Sequence, residues 1–352
     1  MIFLVVSCPC ALVISIPLSF FSGIGGASKA GILVKGSNYL ELLGKAKIAV
    51  FDKTGTLTKG VFKVVETCAD GISEDDLLEL AAYGEYYSNH PIAASIKAAY
   101  KGTVQIDHLD GYEEISGMGI KVLKDGKEVL VGNKKLLDSR KISMAGAKQP
   151  SKVGTVLFVA ENGAYKGCIT IADEIKDGVK DAIASIKKCG IDNVVMLTGD
   201  KKEVADSVAK ELGIDTVCVE LMPGDKVDKV EQLLREKDED STLIFTGDGI
   251  NDAPVLMRAD VGIAMGAMGQ DAAIEAADIV LIDDDPGKIA VAYAIARKTV
   301  RIVQQNIVFA LAVKIIVMVL GALGFANMWA AVFADVGVAF LAIINATRAL
   351  KP

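Results

Sequence analysis

The sequence predicts an α/β fold: a doubly wound parallel sheet carrying an inserted α+β module, together with three transmembrane helices. Three observations lead there. Apolar runs that end on acidic residues, "KIAVFD" (47–52), "NVVMLTGD" (193–200) and "STLIFTGDG" (241–249), alternate with amphipathic helical patterns at 177–189, 202–212 and 226–237. That alternation marks βαβ units and a parallel sheet. Hydrophobic residues form 51% of the 352, and the excess is concentrated. Residues 1–21 carry no charge, and 302–349 carry only Lys314, Asp335 and Arg348. Lastly, 59–167 has its own texture: a Leu/Ala-rich helix at 74–87, another after "NHP", and short strands joined by "DG" and "NG" hairpin signals.

A membrane span needs about 20 apolar residues. The first stretch supplies one span and the second supplies two, broken at "GFANM" (324–328). A secretory signal is disfavoured, since the stretch lacks a basic start and a small-residue cleavage site. Lys29, Lys35, Lys45 and Lys47 follow the first span, Arg297, Lys298 and Arg301 precede the second, and Arg348 and Lys351 close the third. By the positive-inside rule the large loop and the C-terminus are cytoplasmic, in a multi-pass protein of the plasma membrane. A chain that opens in mid-membrane reads as truncated. The expected domains are a transmembrane helix with its cytoplasmic extension (1–36), a sheet domain (37–58 and 168–295), the inserted module (59–167) and two transmembrane helices (300–350). Net charge is −7 with no basic stripe, so nucleic acid is not an expected partner; the lipid bilayer is. Cys68, Cys168, Cys189 and Cys218 read as reduced, buried and inert.

In a parallel sheet the site lies off the carboxyl ends of the strands. Three strands here end on "D", "TGD" and "TGDG", so three carboxylates converge on one rim. Asp52 is the expected nucleophile, because a carboxylate can accept a γ-phosphoryl group and split a hard transfer into two steps. Such chemistry needs Mg2+ and hard oxygen ligands. Asp248 is the natural metal carboxylate, the Gly55 loop offers backbone amides, Thr198 a hydroxyl, and Lys226 a compact positive charge. A Walker A loop is absent from the sequence.

"VVSCPCALVIS" puts Pro9 inside an apolar helix, where it must open the backbone. Cys8 and Cys10 flank the break and, deprotonated, form a soft site for Zn2+, Cd2+, Pb2+ or Cu+; a kinked helix with two small buried residues is the plain alternative. Lys314 and Asp335 lie at comparable depth on successive helices, where an ionisable group is costly unless paired or functional. A carboxylate beside two thiolates suits a divalent metal, with the lysine as counter-ion; a purely structural ion pair is the alternative.

"DKTGTLT" (52–58), "TGD" (198–200) and "GDGINDAP" (247–254), in this order, resemble the P-type ion-pumping ATPases. The resemblance implies a haloacid dehalogenase-like sheet in which ATP phosphorylates Asp52, with Lys53, Thr54, Gly199 and Asp200 in the catalytic motifs. Asp248, Asp52 and the Thr54 carbonyl would bind Mg2+, and Asn251 and Asp252 would lie near the phosphate. "EYYSNHPIA" (85–93) resembles the nucleotide-binding signature of the heavy-metal branch, with Asn89 where that branch usually has Glu. It implies that the insert is a nucleotide-binding domain, His90 contacting adenine and Glu85 lining the pocket. "SGMG" adds Gly117 and Gly119, which would let nucleotide approach the backbone. Asp173 matches a hinge motif. The "CPC" tripeptide and the Lys…Asp-x-Gly pattern resemble the zinc/cadmium/lead branch and imply transport of those ions through Cys8, Cys10 and Asp335, with Lys314 as counter-ion. A "TGE" motif is absent, so the expectation is the C-terminal half of a pump that binds nucleotide but completes no cycle alone, its missing N-terminal half being a candidate partner. Three alternatives stand beside it. A Cu+ pump would need an Asn, Tyr-Asn and Met-Ser set that the last helices lack. A soluble-type phosphohydrolase would need Asp where Thr54 stands. A non-enzymatic metal-binding protein would have decayed motifs.

Overall fold

The computed structural model describes residues 9–148, 150–248, 252–266 and 271–351, with 271–273 as backbone only. In chain order the strands are β1 (Ile32–Val34), β2 (Ala46–Asp52), β3 (Thr58–Ala69), β4 (Leu109–Ile115), β5 (Gly119–Lys124), β6 (Lys127–Gly132), β7 (Thr155–Glu161), β8 (Ala164–Ile175), β9 (Asn193–Leu197), β10 (Thr216–Cys218), β11 (Thr242–Gly247), β12 (Val261–Met265) and β13 (Ile279–Leu281). The chain divides into two compact units, one of residues 1–57 and 176–352, the other Thr58–Ile175.

The first unit holds a seven-stranded sheet ordered β1-β13-β12-β11-β2-β9-β10, parallel except for β1 at its edge. Val50, Val195, Leu197, Leu243, Phe245 and Ala264 build its core. Near-continuous apolar strands follow from burial of both faces under helices. From β2 the chain winds outward through β9 and β10, then returns to add β11, β12 and β13 on the other side. The reversal falls at β2, and the crevice beyond its carboxyl end is where such a sheet places its ligand.

The second unit is an antiparallel sheet, β3-β8-β7-β6-β5-β4. The helices Glu74–Gly84 and Pro91–Ala99 cover one face through Leu77, Leu80, Ala81 and Ile96. Ser73 and Asp76 close a capping box at the first helix. The module ends at Ile175 rather than at 167, because β8 continues past the "NG" hairpin and pairs with β3 along its length.

Among the described residues, three helices of the first unit are long and apolar enough to cross a membrane: Cys10–Lys29, Gly287–Ala322 and Met328–Leu350. The middle one has 36 residues, about 54 Å at the usual rise, well beyond a hydrocarbon core of about 30 Å. Its first turns pack on the sheet, where Tyr293 donates to the Ala46 carbonyl at 2.8 Å. Between helices, the Asn306 amide donates to the Ala342 carbonyl (3.1 Å) and accepts from Asn345 (2.9 Å), polar contacts that fix helix register within a bilayer.

Candidate active site

Asp52 is the last residue of β2, and the chain turns immediately over Lys53–Leu57. Gly55 makes that turn possible on two counts. Its φ is +75°, and a Cβ there would stand 2.6 Å from Asp248 Oδ2. Thr198 directly follows β9, and Asp248 directly follows β11. Parallel register therefore brings all three strand ends to one rim.

Asp52, Thr54, Thr198, Gly199, Lys226, Asp248 and Asp252 line a cavity of ≈ 120 Å3. Lys226 comes from the first turn of the helix Pro223–Glu236 and donates to Asp52 Oδ1 at 2.5 Å and Asp252 Oδ1 at 2.9 Å. Burial raises the Asp52 carboxyl to about 7, Asp252 and Asp248 push the same way, and Lys226 opposes them. Burial works against the Lys226 charge, yet Asp52 and Asp252 hold its pKa above the ordinary lysine value. Among the described residues, the lining sets three carboxylates against one ammonium, a balance that suits a divalent cation. The donors are hard oxygens, as Mg2+ requires. Lys53 and Asp200 do not line the cavity; they pair beside it at 2.5 Å. Thr198 Oγ1 accepts from the Asp200 amide at 3.1 Å, which ties "TGD" into a compact turn. Asn251 lies outside the described residues.

In the second unit His90 caps the helix Pro91–Ala99, its Nδ1 accepting from the Ile92 amide at 3.2 Å. Glu85, buried just beyond the preceding helix, has its pKa raised by burial, while Ser88 and His90 act to lower it. The two glycines differ in kind. At Gly117 φ is +69° with no atom near a would-be Cβ, whereas at Gly119 a Cβ would lie 2.3 Å from the Val131 carbonyl oxygen. Gly117 faces open space; Gly119 lets two strands meet. Asn133, which sequence reasoning missed, holds this loop, its Nδ2 donating to the Gly117 carbonyl at 2.8 Å. Asp173 accepts from Thr58 Oγ1 at 2.5 Å, joining the two ends of the insert.

In the apolar helices, Lys314 Nζ stands 3.6 Å from Asp335 Oδ1, and both side chains are largely buried. That oxygen has no hydrogen-bond partner among the described residues. Asp335 lies in a π-helical turn, Phe333–Gly337, an irregularity common at functional sites. Cys10 opens the first helix after Pro9. Its neighbour Ala11 packs with Ala310 and Val338, so the helix start stands at the level of Lys314 and Asp335. Cys8 lies outside the described residues.

The profile of the haloacid dehalogenase-like hydrolases matches residues 46–260. The chain is 56% identical, over its whole length, to a cadmium, zinc and cobalt-transporting ATPase of Bacillus subtilis, and covers 50% of that protein. It is 53% identical to a zinc-transporting ATPase of Synechocystis, covering 48% of it. The chain thus spans about half the length of the curated relatives it matches. Among solved structures, a zinc-transporting PIB-type ATPase in an E2.Pi state superposes with a TM-score of 0.83 at 35% identity, over 98% of this chain and 57% of that one. The catalytic domain of the CPx-ATPase CopB-B superposes with a TM-score of 0.57 at 31% identity, over 76% of this chain and 96% of that one.

Proposed function

Because the chain belongs to the haloacid dehalogenase-like hydrolases and, within them, to the heavy-metal-transporting P-type ATPases, we propose that it carries the phosphorylation, nucleotide-binding and cation-binding groups of a zinc- and cadmium-exporting pump. The observation that carries this reading is Asp52 at the end of β2, buried in a small acidic cavity with Lys226 at 2.5 Å. A carboxylate oxygen of Asp52 attacks the γ-phosphorus of ATP, the bond to the β,γ-bridging oxygen breaks, and ADP leaves. Lys226 offsets charge on the transferring group, and backbone amides of the Lys53–Leu57 turn receive its oxygens. Mg2+, held by Asp52, Asp248 and the Thr54 carbonyl, would neutralise phosphate charge. Glu85, His90 and Gly117 form the nucleotide face of the second unit.

In the membrane, Cys8, Cys10 and Asp335 hold the cation, and Lys314 takes over Asp335 when it departs. The large segment between the first two spans faces the cytoplasm. A Cu+ substrate is disfavoured by a buried carboxylate paired with a lysine. The experiment is incubation with [γ-32P]ATP and Mg2+. An acid-stable, hydroxylamine-labile label that disappears in Asp52→Asn supports the proposal; a label retained by that variant refutes it.

A further inference from the structure

Lys176 is the first residue of the sheet unit after the insert, and it is buried. It does not line the cavity around Asp52. Its backbone N–H donates to the Leu57 carbonyl at 3.0 Å, and its ammonium donates to the Gly55 carbonyl and to Asp284 Oδ1, the latter at 2.6 Å. One residue therefore grips the turn after Asp52 at two carbonyls. The Gly55 C=O and the Thr56 N–H belong to a single planar peptide and point in opposite directions. Holding the carbonyl fixes the direction of that amide within the turn that follows Asp52. Thr54, on the same turn, lines the cavity around Asp52.

Asp284 lies between β13 and Gly287, where the 36-residue helix carrying Lys314 begins. Gly266 packs so closely on Asp284 that a Cβ there would lie 3.0 Å from its Oδ1. A buried ammonium is costly without partners, and these two acceptors account for its position.

We propose that Lys176 is a positioning residue for phosphoryl transfer, clamping the phosphate-cradling turn after Asp52 to Asp284 at the root of the helix Gly287–Ala322. This rests on the reading of Asp52 as phosphoacceptor. The ammonium lies outside the cavity around Asp52 and acts through the turn that it holds.

The test measures the rate constant of acid-stable labelling from [γ-32P]ATP, the Mg2+ concentration for half-maximal labelling, and the ATP Kd, in the unsubstituted chain, Lys176→Met, Lys176→Arg and Asp284→Asn. Lys176→Met is expected to label about tenfold more slowly or worse, as misplacement of reacting groups does. Its Mg2+ requirement rises while its ATP Kd stays within about twofold, and Lys176→Arg recovers most of the rate. A smaller labelled fraction at an unchanged rate constant and Mg2+ requirement shows a structural role only and overturns the proposal. Should Lys176→Met fail to bind ATP, Asp284→Asn decides: slower labelling at a raised Mg2+ requirement supports the clamp, and unchanged values overturn it. Absence of label in the unsubstituted chain overturns both the phosphorylation reading and this one.

Discussion

Lys226 Nζ lies 2.5 Å from Asp52 Oδ1 and 2.9 Å from Asp252 Oδ1, so one ammonium joins the candidate nucleophile to a second carboxylate across the cavity. Without that cation Asp52, already raised to about 7 by burial and by Asp252, would keep its proton still more readily. Lys226→Met is therefore expected to slow phosphorylation by about 10²-fold, in the range of a lost transition-state donor. Quench-flow labelling with [γ-32P]ATP measures it, and ATP binding to the second unit should not change.

Gly117 and Gly119 should separate on substitution. Gly119→Ala forces a Cβ against the Val131 carbonyl and the Gly132 Cα, both backbone, so the β5–β6 pairing must give way. Gly117→Ala meets no atom and carries only the cost of a positive φ, about 1–3 kcal/mol. The expected outcome is weakened ATP binding with a folded unit for Gly117→Ala, and loss of cooperative unfolding for Gly119→Ala. Isothermal titration and circular dichroism read the two effects.

Lys314 and Asp335 invite a double substitution. Removing one partner of a buried pair costs about 3–5 kcal/mol, because the other charge is stranded, whereas replacing both by apolar groups is often neutral. Lys314→Met or Asp335→Leu alone should lower thermal stability, and the double variant should recover it. If Asp335 is a cation ligand, the recovered double variant still fails to bind Zn2+ in equilibrium dialysis. A purely structural pair would leave Zn2+ binding intact.

Much of this was legible in the sequence, for definite reasons. Asp52, Thr198 and Asp248 converge because a parallel sheet aligns strand ends, and the endings "D", "TGD" and "TGDG" could be read directly. Lys314 and Asp335 could be paired by counting depth along antiparallel helices. What stayed hidden depends on chain geometry between distant segments. Lys176 and Gly55 stand 121 positions apart and meet only where the insert returns. Asn133 looks like an ordinary helix cap until its amide is seen on the Gly117 carbonyl. The end of the insert was misplaced because β8 continues without a break signal through "CITIADEI". Lys53 and Asp200, carried by their motifs, pair with each other rather than facing the cavity.

Cys168 sits directly opposite Cys68 in the β3–β8 pairing, and both are free and buried. Burial, followed by the neighbouring Cys68, pushes the Cys168 thiol up to about 11, with a hydrogen bond to Tyr165 acting the other way. The group keeps its proton longer folded than unfolded. Its contribution to stability is therefore present below the ordinary thiol value of 9.0 and lost as pH rises toward 11. Iodoacetamide should alkylate it far more slowly than an exposed thiol at pH 8, with a rate that climbs steadily between pH 8 and 10. Peptide mass spectrometry of timed samples would show it.

The most direct test of the central claim is chemical trapping at Asp52. Borohydride reduces an acyl phosphate but leaves a free carboxylate intact, and Asp52 is the only carboxylic side chain in the tryptic peptide 48–53. After brief exposure to ATP and Mg2+, reduction should yield homoserine at position 52, dependent on ATP and abolished in Asp52→Asn. An unmodified aspartate there, with the reduced product located at any other carboxylate, would contradict the account.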